Sequence, residues 1–232
     1  MDNIGASCFR FGDGYKCPVC LSYDLVKNGK TANGKQRYSC KHCHKRFITH
    51  YTYNAYRADT NRKIIQFTKE GLGIRSTARV LAISVTTLLK RILLIASNIK
   101  QPPIAKGKTY EVDEMRIFIG KKSRLRWLVY ALDRESKEVV TFNIGRRTNH
   151  TLSVVLKSLF YSNPKIIYTD KLKNYGYLIR RKIHRTIFRC TNHIERKNLT
   201  LRTHLKRLNR KTICYSKIAT ILTAIIKIYL WG

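Results

Sequence analysis

Carboxylates are what this chain of 232 residues has least of: 13 Asp and Glu stand against 47 Lys and Arg, a formal net charge of +34. From residue 139 to the end only Asp170 and Glu195 remain, among twenty Lys and Arg. Such a surface excludes a cationic partner and predicts a phosphate polyanion, bound tightly and with strong salt dependence. Proline is scarce, 4 in all, and no low-complexity tract or internal repeat occurs. No apolar run reaches the roughly 20 residues of a membrane helix, since Ile218–Trp231 is short and interrupted by Lys227. The N-terminus lacks a basic segment followed by an apolar one, so no signal peptide is expected. At 44% hydrophobic and 10% aromatic residues the chain has material for real cores and is no basic tail. Charge alone would suit a ribosomal or chromatin protein equally well.

The excess is spread along the whole length, about +6 over residues 1–56, +9 over 57–108 and +19 over 109–232. Three textures follow one another: a Gly- and Lys-rich segment with paired Cys (1–55), a helically periodic one (56–100), and, after a Pro-Pro linker (101–108), alternating strand and helix patterns (109–232).

Seven cysteines include two tight pairs, Cys17-Pro-Val-Cys20 and Cys40-Lys-His-Cys43. That spacing suits two knuckles giving four thiolates to one structural Zn²⁺ in a zinc ribbon, a closed shell with no position for a reacting water. His42 and His44 are alternative ligands, better suited to solvent or phosphate. Cys8, Cys190 and Cys214 read as buried thiols.

In the middle segment, one amphipathic helix runs to Glu70 and stops at Gly71-Leu-Gly73. A short helix over Arg75–Leu81 and a third over Val85–Ala96, capped by Ser84, complete a helix-turn-helix pattern with Ala78 at the close approach and Ile83 in the turn. In that geometry Thr86, Thr87, Lys90 and Arg91 face the major groove of double-stranded DNA. The same pattern also fits a three-helix structural bundle.

The third segment predicts strands at Thr109–Gly120, Leu125–Leu132 and Lys137–Ile144, a helix carrying Leu152, Val155, Leu156 and Leu159, then a strand over Lys165–Thr169. Three antiparallel strands, a helix and another strand give the order of an RNase H-like (retroviral-integrase-like) α/β domain. There the first and fourth strands lie side by side, so Asp113 and Asp170 meet. A later helix brings Glu195 at the edge of the stripe Ile194, Leu201, Leu205 and Leu208, with Arg202 a candidate phosphate contact two turns on. Glu111 and Glu114 are alternative ligands; strand alternation puts Glu111 with Asp113 and Glu114 opposite. Such carboxylates hold catalytic Mg²⁺ or Mn²⁺ and support in-line phosphoryl displacement.

The run from Ile194 to Lys217, the block Val112-Asp-Glu-Met with Phe118-Ile-Gly120, and Thr169-Asp-Lys-Leu-Lys-Asn-Tyr175 resemble DDE transposases of the insertion-sequence-one family. The resemblance covers nearly the whole chain. It implies catalytic roles for Asp113, Asp170 and Glu195, binding of terminal inverted repeats by the N-terminal modules, and DNA cleavage followed by strand transfer. It also implies a homodimer or larger assembly on DNA, in the cytoplasm of a prokaryote and associated with the nucleoid. Arg116 departs from the family pattern, which usually carries a large aromatic there; His193 stays outside the catalytic set. A catalytically inactive regulator of the element and an RNase H-like nuclease are the competing functions.

Overall fold

The computed structural model describes residues 14–50, 53–187 and 190–232, so Cys8 lies outside the described residues. Two compact units, residues 1–57 and Ala58–Gly232, divide the chain.

The first unit holds an antiparallel sheet of β1 (Leu25–Lys30), β2 (Gln36–Cys40) and β3 (Arg46–Ile48), in that order. Its apolar core is small: Leu25, Tyr38 and Phe47 beside the paired cysteines. The Tyr38 and Phe47 rings stack at 6.0 Å.

The second unit begins with α1 (Thr60–Lys69), α2 (Ile74–Val80) and α3 (Val85–Asn98). Gly71, at φ +74°, turns the chain out of α1, and a Cβ there would lie 2.2 Å from the His204 carbonyl oxygen. Ala82 takes φ +49° between α2 and α3, whose axes meet at 105°, the angle of a helix-turn-helix pair. Ser84 Oγ accepts the Thr87 N–H and caps α3.

A five-stranded sheet follows, in the order β6 (Val139–Gly145), β5 (Lys121–Asp133), β4 (Thr109–Ile119), β7 (Ile166–Tyr168), β8 (His184–Arg185). β4, β5 and β6 are antiparallel, whereas β7 runs parallel to β4 after the crossover through α4 (Asn149–Phe160). α5 is Lys173–Leu178, α6 Asn192–His204 and α7 Ala219–Trp231. Strand alternation divides the core. Tyr110, Val112, Val129 and Ala131 pack with Leu152, Val155, Leu156 and Leu159 of α4 on one face. Glu111, Asp113 and Tyr130 turn to α6 on the other.

One expectation changes in detail. α6 ends at His204, and Leu205 (φ −98°, ψ 85°) leads into a 3-10 turn over Lys206–Leu208. Leu205 and Leu208 remain buried by this change of direction, not by continuing one helical stripe. α7 is buried at Ile221, Leu222, Ala224, Ile225, Ile226 and Ile228, more than one helical face, because it packs against α1 and α3 as well as β6. Among the described residues no single helix is long and apolar enough to cross a membrane.

Candidate active site

In the ribbon, Cys17 and Cys40 are buried and Cys20 and Cys43 half-buried. Their four sulfurs lie within 4.8 Å of one another, with Cys17 to Cys43 and Cys20 to Cys40 both at 3.5 Å. Tetrahedral zinc at about 2.3 Å from each sulfur requires sulfur separations of roughly 3.8 Å, so the residues fit that ion. Each knuckle turns just past its second cysteine through a left-handed residue, Leu21 (φ 60°) and His44 (φ 57°). Neither His42 nor His44 joins the cluster.

The second cluster forms because β7 is short. It pairs with β4 only from Thr109↔Ile166 to Glu111↔Tyr168. Between that point and the Ile119↔Ser216 bridge the β4 edge is open, and residues from both faces of β4 can turn over it toward the loop that follows β7. Carboxylate oxygens of Asp113, Glu114 and Asp170 come within 4.8 Å of one another. Asp170 Oδ1 accepts the Leu172 N–H at 3.0 Å, which fixes its direction. Asp113 accepts from the Glu114 N–H and from Asn198 Nδ2, both at 2.7 Å. Asn198 in turn accepts from Tyr130 Oη, which also bonds the Ile194 carbonyl.

Glu195 lies in the first turn of α6, its Oε1 accepting from Thr191 Oγ1 at 2.9 Å. It stands outside the tight group of three. Burial pushes the Asp113 carboxyl above the ordinary carboxylate range, and the charges of Asp170 and Glu195 add to this. Burial likewise raises Glu114, with Asp170 next. Glu114 Oε1 pairs with Arg147 Nε at 3.3 Å, while its buried Oε2 has the buried hydroxyl of Tyr175 as its neighbour. Clustered hard oxygen donors, two of them with raised pKa values, together fit a divalent cation. Among the sequence alternatives, Glu111 is committed elsewhere: its oxygens accept from His193 Nδ1 at 2.6 Å and the Ile194 N–H at 3.0 Å.

Sequence reasoning misses Asn198 and Tyr130. The available signal is Asn198 itself, a polar residue four places after Ile194 on the buried stripe of α6. Alternation places Glu114 opposite Asp113, and the open strand edge is what lets both reach one point. Of the remaining thiols, Cys190 is half-buried and Cys214 exposed. The expected burial of Cys214 fails because it sits in an irregular stretch before α7, its N–H held only by Thr212 Oγ1.

On α3, Thr86 and Lys90 are exposed, and Thr87 and Arg91 partly so. Thr87 Oγ1 bonds Ser84 Oγ at 2.8 Å, and Arg91 bonds Asn61 Oδ1 of α1 at 3.2 Å. Arg202 reaches the Asp113 side of the sheet: burial, then the charge of Arg210, holds its guanidinium below its ordinary pKa, while Asp113 acts the other way.

An RNase H-like sheet with acids at the open edge of its central strand, joined to a helix-turn-helix and a four-cysteine ribbon, defines the class of DNA-recombining polynucleotidyl transferases. The family model described as IS1 transposase matches residues 108–231. Those described as the InsA N-terminal and C-terminal domains match 15–44 and 51–93. The chain belongs to the IS1 transposase family. It is 40% identical over 107 residues to the insertion element iso-IS1n protein InsB of Shigella dysenteriae, covering 46% of this chain and 82% of that one. It is 43% identical over 107 residues to the insertion element IS1 2 protein InsB of Escherichia coli (strain K12), covering 46% and 64%. The match thus spans less than two thirds of the Escherichia coli protein. Among solved structures, the HTLV-2 integrase catalytic core domain aligns at 16% identity and TM-score 0.35, covering 55% of this chain and 86% of that one.

Proposed function

We propose that this chain binds the terminal inverted repeats of its own element, cuts one strand at each end and joins the freed 3′-hydroxyl to target DNA. The observation that carries this reading is the convergence of Asp113, Glu114 and Asp170 at one strand edge in a chain of net charge +34. Near a polyanion, such a cluster repels its substrate unless cations occupy it.

Asp113 and Asp170 are the residues that would hold Mg²⁺ or Mn²⁺, with Glu195 from α6 completing the set once its side chain leaves Thr191. Bound there, two such cations supply a nucleophile at neutral pH and offset charge on the leaving oxygen. Asn198 and the Glu114 N–H favour the ionised form of Asp113 and aim it, and Tyr130 locks the Asn198 amide. Arg202 orients a phosphate beside the acids. Thr86, Thr87, Lys90 and Arg91 contact the terminal repeat from α3, and Cys17, Cys20, Cys40 and Cys43 hold Zn²⁺. Two element ends must be held together, so the working form is a dimer or larger.

The test incubates purified protein with a duplex carrying the element's terminal repeat, a target plasmid and Mg²⁺, for the wild type and Asp170→Ala. Strand-joined product from the wild type alone is expected. Nicking without joining assigns a nuclease; repeat binding without nicking assigns a regulator.

A further inference from the structure

Beside the acids lies a cavity whose charge the acids do not account for. Alternation along β4 puts Glu114, Arg116 and Phe118 on one face, and Arg116 lies opposite Trp127 of β5 in the antiparallel register. With Lys122, and with Arg202 and Arg210 from the end of α6 and beyond, they line a space of about 320 Å³. Liquid water fills about 30 Å³ per molecule, so this is room for roughly ten waters, enough for a phosphodiester and its sugar.

Four of the lining residues are cations and one is a carboxylate. That carboxylate, Glu114, already shares Oε1 with Arg147. Arg202 Nε is buried without a hydrogen-bond partner, and Arg210 stands near enough to depress the Arg202 pKa. Guanidinium groups this close repel one another, an effect Asp113 offsets only in part at Arg202, and a planar fork of N–H donors is matched by phosphate oxygens. The aromatic faces are already in use: Arg147 lies over the Trp127 ring at 4.5 Å, and Arg116 over Phe118 at 5.5 Å. Base stacking is therefore not what this cavity offers; a backbone phosphate is.

We infer that the cavity formed by Arg116, Lys122, Arg202 and Arg210 is a second phosphate site, which holds a DNA backbone phosphate neighbouring the one presented to Asp113 and Asp170. This rests on the DNA-cutting reading above. Arg116 adds a cation to the wall of this site and so strengthens the grip on the strand next to the cleavage point.

Methylphosphonate linkages, which remove one backbone charge, are placed singly at each position near the cleavage point of a terminal-repeat duplex. Binding is measured in Ca²⁺, and cleavage separately in Mg²⁺. For the wild type, one position is expected to weaken binding about tenfold. Arg116→Gln and Arg210→Gln, both at exposed side chains, are expected to bind natural DNA about tenfold more weakly and to lose nothing further at that position. Lys157→Gln, on the surface of α4, is expected to lose the full tenfold there. Additive losses at every position for both arginine variants overturn the inference, even if cleavage is intact. Loss of wild-type cleavage with the coupling intact overturns the DNA-cutting reading instead. A phosphorus NMR titration with inorganic phosphate reads the other source of the same chemistry: sub-millimolar binding lost in Arg210→Gln, with additive methylphosphonate losses, assigns the cavity to free phosphate and also overturns the inference.

Discussion

Replacing Asp113 by Asn should make the protein more stable without Mg²⁺ or Mn²⁺ and less stable than the wild type with them. The carboxylate oxygens of Asp113 and Glu114 are at most 4.8 Å apart. At an effective dielectric constant of about 20, two unit charges at that distance repel by about 3.5 kcal/mol. Asp170 is exposed, so its share is screened; that share and the relief of no longer burying the Asp113 charge are set against the lost attraction of Arg202 and taken to cancel it. Against the relief stand two hydrogen bonds to a charged acceptor, from the Glu114 N–H and Asn198 Nδ2. A neutral acceptor weakens each by about 1 kcal/mol. The Asn198 amide can turn over to accept from the side-chain amide that Asp113→Asn introduces, since Tyr130 Oη can receive its N–H while still donating to the Ile194 carbonyl. The net gain is about 1.5 kcal/mol, or about 3–6 °C in Tm for a unit of this size. Cation at 100 times its Kd would add about 2.7 kcal/mol to the wild type and reverse the order. The pH dependence follows the same cause. Folding raises the pKa of Asp113 and Glu114, so the folded wild type binds protons more tightly than the unfolded chain. Its cation-free stability is greatest below the ordinary carboxylate range and falls as pH rises through the raised values; Asp113→Asn flattens that fall. Calorimetry on protein dialysed free of Mg²⁺ and Mn²⁺, with zinc retained, reads both effects. A lower Tm for Asp113→Asn without cation, or equal responses of the two proteins to Mg²⁺, would refute the reasoning.

Wild-type protein should carry one zinc per chain by metal analysis, and Cys40→Ser none, because apparent binding worth about 10–16 kcal/mol is also the folding energy of so small a ribbon. Circular dichroism and NMR should show β1–β3 lost and the larger unit intact. Gly71→Ala should destabilise the larger unit by about 2 kcal/mol or more in urea titrations, since it combines φ +74° with a Cβ placed 2.2 Å from the His204 carbonyl. Leu156→Ala, 1% exposed against β4 and β5, should cost about 2–5 kcal/mol while leaving strand cleavage at low temperature unchanged, because its side chain lies in the core and away from the acids.

How far the sequence carries depends on whether a feature is local. Two Cys pairs at knuckle spacing need only short turns to meet, and Leu21 and His44 supply them; β4 and α4 are equally plain in their periodicity, whereas β5 begins at Lys121, four residues before the expected Leu125. The acid cluster is less so. Asp113 and Asp170 follow from the strand order, but Glu114 enters only because β7 stops after three residues, and nothing in Ile166-Ile-Tyr168 fixes that length. Asn198 has meaning only beside Asp113, 85 positions away. The end of α6 is the sharpest case: Leu201, Leu205 and Leu208 fit one continuous stripe, yet the chain turns at Leu205. There the His204 carbonyl meets Gly71, which has no side chain to keep it away. The turn leaving α1 therefore abuts the helix that carries Glu195, Asn198 and Arg202. A helix continued past His204 would carry the chain away from Gly71 and lose that contact.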